Sequence, residues 1–103
     1  MNFLPREQII REMTGTLQIM IDVYQLEDAG IFEEEGEGEA YYVGYTVRKN
    51  GDVYMIHKPF MKNEAGELAP KNLEWVVETG EEDYHKYKSL DDVFTAITQR
   101  QIH

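Results

Sequence analysis

The alternation of apolar and polar positions is clearest in residues 40–60, where two runs rich in Tyr, Val and Ile flank Asn50 and Gly51. A two-residue type I′ turn needs positive φ at both central positions, and Asn and Gly tolerate positive φ best. The pattern therefore predicts a β-hairpin with Asn50 and Gly51 as its loop. In the resulting register Tyr45 faces Ile56, and we expect the face that carries this pair to be the core.

The opposite face of the predicted hairpin is more apolar than a fully solvated face requires. It carries Tyr42, Gly44, Thr46 and Arg48 opposite Pro59, His57, Met55 and Val53. The candidate residues, with one residue of a later strand, are Tyr42, Gly44, Met55, His57 and Val76. Contiguous exposed apolar surface tends to mark a site of protein association. We therefore take these five residues as a candidate interaction face. The alternative is that a helix, or the connection formed by residues 61–72, covers them.

An apolar stripe of helical period predicts a helix near the start of the chain. Pro5 suits its first position, and Gly30 suits the left-handed position just beyond its end. Residues 17–23 also alternate as a strand would. The helix is favoured because a glycine inside a helix, here Gly15, costs only about 1 kcal/mol, and the stripe passes through it in phase.

The remaining segments predict further strands and a final helix. Residues 31–39 are either an edge strand with a turn or a mobile loop, and residues 61–72 are polar enough to be a connection. Residues 73–79 alternate as a third main strand, whereas residues 80–88 either form a loop or continue the sheet weakly. Ser89 is the predicted N-cap of the last helix.

Together these elements predict one α+β domain over residues 1–103. We expect two layers, with an antiparallel sheet of three to four strands and both the N-terminal and the C-terminal helix packed on the face that carries Tyr45 and Ile56. Double-stranded RNA-binding domains share this helix, strands, helix order, but they grip phosphates with clustered Lys and Arg. The last helix offers only Arg100, and it begins with acidic Asp91.

Charge and composition narrow the classes of partner. Twenty acidic against ten basic residues give a formal net charge of −10, so nucleic acids and anionic membranes should be repelled, while a basic protein or a cation should be attracted. The absence of cysteine excludes disulfides and thiol catalysis. The first residues show no signal peptide, and no apolar run is long enough to span a membrane. We expect a cytoplasmic protein.

Candidate catalytic and metal-binding residues are few. His57 lies alone on a predicted strand, and no hydrolase, phosphate-loop or dinucleotide motif is present. The prediction is therefore no catalytic residue, no cofactor and no metal site. A second hypothesis is a small enzyme or a cation-dependent ligand-binding protein. It would use His57 together with the acidic segment formed by residues 33–39. That segment supplies Glu33, Glu34, Glu35, Glu37 and Glu39, whose oxygens suit Ca²⁺ but whose spacing fits no EF-hand loop.

Three stretches carry a resemblance: LPREQI at residues 4–9, FEEEGEGEAYYVGYTVRKNG at residues 32–51, and VYMIHKPF at residues 53–60. Through them the chain resembles a group of small proteins of unknown function from Bacillus-type bacteria. The resemblance implies a cytoplasmic protein and supplies no activity, cofactor or site residue. The leading hypothesis is thus a non-enzymatic interaction or accessory domain, whose partner is another protein or a second copy of the chain.

Overall fold

The computed structural model describes residues 2–79 and 84–99. Its elements in chain order are α1 (Arg6–Tyr24), β1 (Asp28–Glu35), β2 (Ala40–Lys49), β3 (Asp52–Lys62), β4 (Leu68–Pro70), β5 (Trp75–Glu78), β6 (Tyr84–Tyr87) and α2 (Leu90–Thr98). The strands form one antiparallel sheet in the order β1-β2-β3-β5-β6, with β4 also paired to β3. The α+β class and the two flanking helices are confirmed, but the sheet has six strands instead of three to four.

The central hairpin has the predicted turn and register. Asn50 has φ 54° and Gly51 has φ 83°, so both central residues occupy the left-handed region that a type I′ turn requires. Tyr45 lies opposite Ile56, and both side chains are buried. The local turn therefore sets the side of the sheet on which each hairpin side chain lies.

The additional strands come from segments whose own pattern is weak. β1 pairs with β2 along its whole length, so the edge-strand interpretation of residues 31–39 holds for residues 31–35, and the strand begins earlier than predicted, at Asp28. β4 lies inside the stretch predicted as a connection, and β6 extends the sheet beyond β5. β4 and β6 show too little alternation of their own to be predicted, because pairing with a neighbour stabilises them, whereas β5 was predicted from the alternation over residues 73–79. Of residues 80–88, predicted as a loop or a weak continuation of the sheet, residues 84–87 continue the sheet as β6, and residues 80–83 lie outside the described residues.

The first helix ends earlier than predicted. It runs through residues 17–23, which settles the helix or strand alternative, and it stops at Tyr24. Gln25 adopts the left-handed conformation, with φ 54° and ψ 51°, whereas Gly30 lies inside β1. Leu26 explains the early stop, because its side chain is buried in the core and the chain must leave the helix to place it there.

Both helices pack on the sheet face that carries Tyr45 and Ile56, as predicted. Met20 of α1 and Phe94 of α2 belong to the same buried cluster as these strand residues. A smaller cluster joins Ile9 of α1 to the far end of the hairpin. The core therefore lies between one face of the sheet and the two helices.

The start of α2 follows its sequence signals. The backbone N–H of Asp92 donates a hydrogen bond of 3.1 Å to the Ser89 hydroxyl, which is the predicted N-cap. The rings of Tyr24 and Phe94 stack with centroids 4.1 Å apart and join the two helices. The helix ends at Thr98 with Gln99 as its C-cap, earlier than the predicted end at Gln101, and Arg100 lies outside the described residues.

Candidate functional site

The sheet face opposite the helices, which we call the open face, carries all five residues of the predicted interaction face. Gly44 on β2 lies opposite His57 on β3, which in turn lies beside Val76 on β5. Tyr42 and Met55 lie two positions away on their strands and so point to the same side. The four side chains of this set are half-buried, and none belongs to either core cluster.

Gly44 marks a close approach between the two central strands. A Cβ atom at this position would lie 1.8 Å from the carbonyl oxygen of Ile56 and 2.5 Å from the Cα of His57. Only glycine fits such a contact without a backbone shift. The close approach of the two backbones therefore requires glycine at position 44, and the centre of the open face has no side chain there.

His57 is held among aromatic rings beside this glycine. Its ring centroid lies 5.8 Å from that of Phe32 and 5.6 Å from that of Tyr42, with the Tyr42 ring nearly perpendicular. The His57 side chain is 12% exposed, and Nε2 lies 3.5 Å from a carboxylate oxygen of Glu78. Nδ1 is buried and has no hydrogen-bond partner within residues 2–79 and 84–99. Packing and the Glu78 contact thus hold the imidazole in place.

These side chains enclose a concavity of about 360 Å³, which we call the aromatic recess. It is lined by Phe32, Glu34, Tyr42, His57 and Glu78. The faces of aromatic rings carry partial negative charge, and two carboxylates add full negative charge when ionised. The arrangement is suited to holding a positively charged group.

Two of the lining residues, Phe32 and Glu78, were not among the site residues predicted from the sequence, whereas Glu34 was predicted as part of the acidic segment of the second hypothesis. Phe32 and Glu34 lie on β1, and their position on the open face follows from the pairing of β1 with β2. No alternation in the sequence marks Phe32 and Glu34, because the neighbours Ile31 and Glu33 are of the same apolar and acidic kinds. Glu78 reaches the recess because β5 lies beside β3.

Glu33, by contrast, points to the helix side of the sheet. Arg6 donates a hydrogen bond of 2.7 Å from Nη2 to Glu33 Oε2, and the Tyr41 hydroxyl donates one of 2.8 Å to Oε1. Chiefly because of the Arg6 hydrogen bond, the pKa of Glu33 lies below its usual range. Burial, followed by the hydrogen bond to Glu33, raises the pKa of Tyr41. This cluster fastens the start of α1 to the sheet.

The predicted acidic segment is consequently divided between different surroundings. Glu35 forms an ion pair of 3.2 Å with Lys62, and of the five glutamates only Glu34 lines the recess with His57. Within the described ranges, no three His, Asp or Glu side chains converge as a metal site would require. The structure brings one member of the segment to the histidine and directs Glu33 away from it.

A second concavity, of about 370 Å³, lies between the end of α1 and α2. The Tyr24 hydroxyl donates a hydrogen bond to Asp91, and Lys49 Nζ donates one of 2.6 Å to the carbonyl oxygen of Tyr24. Burial and then the Asp91 hydrogen bond raise the pKa of Tyr24 to about 12. Because these polar groups satisfy one another, we assign this region to the junction of the helices.

Comparison with known proteins places the chain in a family. Neither α1 nor α2, the helices within the described part of the chain, has the apolar stretch that crossing a membrane requires. A search among curated proteins finds no match. Residues 3–97, which extend from before α1 into α2, match the model of a family of unknown function, DUF5634. The chain therefore belongs to this family of unknown function.

Proposed function

We propose that the protein is a non-enzymatic interaction domain whose open face binds a positively charged surface of a partner protein. One observation carries the proposal: the open face bears half-buried apolar and aromatic side chains, while both helices pack on the other face. An apolar sheet face that the protein's own helices do not cover is typical of a surface used for association.

Charge complementarity supports a basic partner. The net charge of −10 favours a basic partner at long range, and Glu34 and Glu78 line the recess at short range. Arg48 and Lys86 share the open face but do not line the recess. The same field repels phosphate backbones, so we expect no appreciable binding of RNA or DNA at physiological salt. A cytoplasmic location and an origin in Bacillus-type bacteria are part of the proposal.

A small enzyme or a cation-dependent ligand-binding protein is the second candidate. Its support is that His57 and Glu34 line the same recess. It was expected to draw on the acidic segment as a whole, yet Glu33 pairs with Arg6 on the opposite side of the sheet. The interaction hypothesis needs no such assembly of carboxylates, and we prefer it for that reason.

The test begins with co-purification from the native host and identification of the bound protein. Binding of that purified partner is then measured for the wild type and for a double variant, Tyr42→Ser with Met55→Thr. We expect the double variant to lose binding while its unfolding midpoint changes little, because truncation of half-buried surface residues removes interface area and spares the core. The matched control is Ile19→Ser with Val23→Thr on α1, whose residues are 61% and 64% exposed.

Three results would contradict the proposal. The first is a double variant that binds the partner as tightly as the wild type does. The second is unfolding of the double variant, since Tyr42 and Met55 would then belong to the stabilising core. The third is a concentration-dependent doubling of mass in sedimentation with no other partner bound, because the open face would then join two copies of this chain.

A further inference from the structure

We propose that the aromatic recess is the anchor point of this interaction and receives one cationic side chain, lysine or arginine, from a basic segment of the partner. The inference rests on the proposed function and adds the chemical group that is recognised. It is carried by the placement of rings and carboxylate around a single position on the open face.

The geometry of the recess resembles a cage open on one side. Phe32 lies opposite Gly44, and Glu34 lies opposite Tyr42, so two rings and a carboxylate occupy adjacent positions on β1 and β2. His57 adds a third ring across the glycine, with centroids 5.6 and 5.8 Å from the other two. A cation within about 6 Å of the centroid of a Phe or Tyr ring is attracted by that ring, so Phe32 and Tyr42 supply the attraction and His57 forms a wall between them.

Glu34 supplies the charge that the partner's cation would pair with. Its side chain is exposed, and within the part of the chain that the structure describes it has no ion-pair partner. Glu78 instead contacts His57 and thereby fixes one wall of the recess. A carboxylate at the rim of an aromatic recess favours ammonium or guanidinium over an apolar group of similar length, because an apolar group leaves the charge without a partner.

The protein itself contains cations on ring faces, on its other sheet face. Lys58 Nζ lies 4.6 Å from the centroid of Trp75, and Lys62 Nζ lies 5.7 Å from that of Tyr41. Burial lowers the pKa of Lys58. The open face presents rings and a carboxylate, with no lysine or arginine among the residues that line the recess.

In the test, a synthetic peptide of alternating glycine and lysine is titrated into the full chain. Binding is measured from the NMR chemical shifts of the His57 ring protons. We expect saturable shifts that disappear when norleucine replaces lysine. Glu34→Gln should weaken binding by about fivefold, the equivalent of a well-placed ion pair, and Phe32→Leu by about as much through loss of a ring. The matched control is Glu37→Gln, which makes the same change of charge at an exposed residue outside the recess.

Several results would overturn the inference and leave the proposed function standing. They are equal weakening by the Glu34 and Glu37 variants, equal binding of the norleucine peptide, and no saturable shift with the lysine peptide. In each case, if the open face is the interface, the double variant of Tyr42 and Met55 would still fail to bind the purified partner. If the double variant keeps the partner, the proposed function fails as well.

Discussion

Gly44 provides the sharpest test of the fold, through the substitution Gly44→Ala. The added Cβ atom would lie 1.8 Å from the carbonyl oxygen of Ile56, and contacts under 3.0 Å are essentially never tolerated. The two groups must therefore separate by about 1.2 Å, from 1.8 to at least 3.0 Å. The other atom is backbone, so no side-chain rotation relieves the clash.

The size of the effect follows from what this separation disrupts. Forcing an extra carbon into a packed site costs about 1–3 kcal/mol. Moving the strands apart by over an ångström also breaks the ladder hydrogen bonds beside Gly44, and losing two of them adds about 2 kcal/mol. We expect a total destabilisation of about 3–5 kcal/mol, a large part of the 5–15 kcal/mol typical of a small domain.

Urea unfolding followed by circular dichroism measures this loss. With an m-value of about 2 kcal/mol/M, a loss of about 4 kcal/mol lowers the midpoint by about 2 M. The matched control is Gly30→Ala in β1, where an added Cβ meets nothing within 4 Å. That variant should stay within about 0.5 kcal/mol of the wild type or gain slightly. Equal midpoints for the two variants would refute the close approach at Gly44.

Two further predictions concern the turn and the acid stability of the fold. Gly51→Val should destabilise by about 1–2 kcal/mol, because a β-branched residue is strained at φ 83°; an unchanged midpoint would argue against the turn beside Asn50. The lowered pKa of Glu33 means that its contribution to stability is complete above the ordinary value of 4.5 and is lost as the pH falls through the folded value. Glu33→Gln should therefore flatten the loss of stability in acid, and an identical pH dependence would show that its bonds to Arg6 and Tyr41 contribute nothing.

The parts of the fold that could be predicted are those governed by neighbours in sequence. Asn50 and Gly51 determine the turn, and the turn determines which hairpin side chains share a face. The same holds for Ser89, whose hydroxyl needs only the backbone N–H three residues later. Four of the five predicted open-face residues come from this one hairpin, which explains why they lie together as predicted.

The parts that could not be predicted depend on contacts between distant segments. The stop of α1 at Tyr24 depends on the burial of Leu26, and no glycine marks it. β4 exists because it pairs with β3, and its three residues carry no period of their own. The recess depends on the placement of Phe32 and Glu78 beside His57 by two separate strand pairings, which a single sequence does not specify.

The stacking of Tyr24 on Phe94 has a consequence for how the chain reaches its native state during synthesis. These residues belong to the first and the last element of the described chain, and Val93, Phe94 and Ile97 complete the cluster around Ile56. The two strands of the hairpin can pair soon after residue 62 leaves the ribosome. The apolar surface that faces the helices is not fully covered until α2 has been synthesised. The nascent protein thus passes through an interval in which this surface is most open to aggregation, and rapid closure by α2 ends that interval.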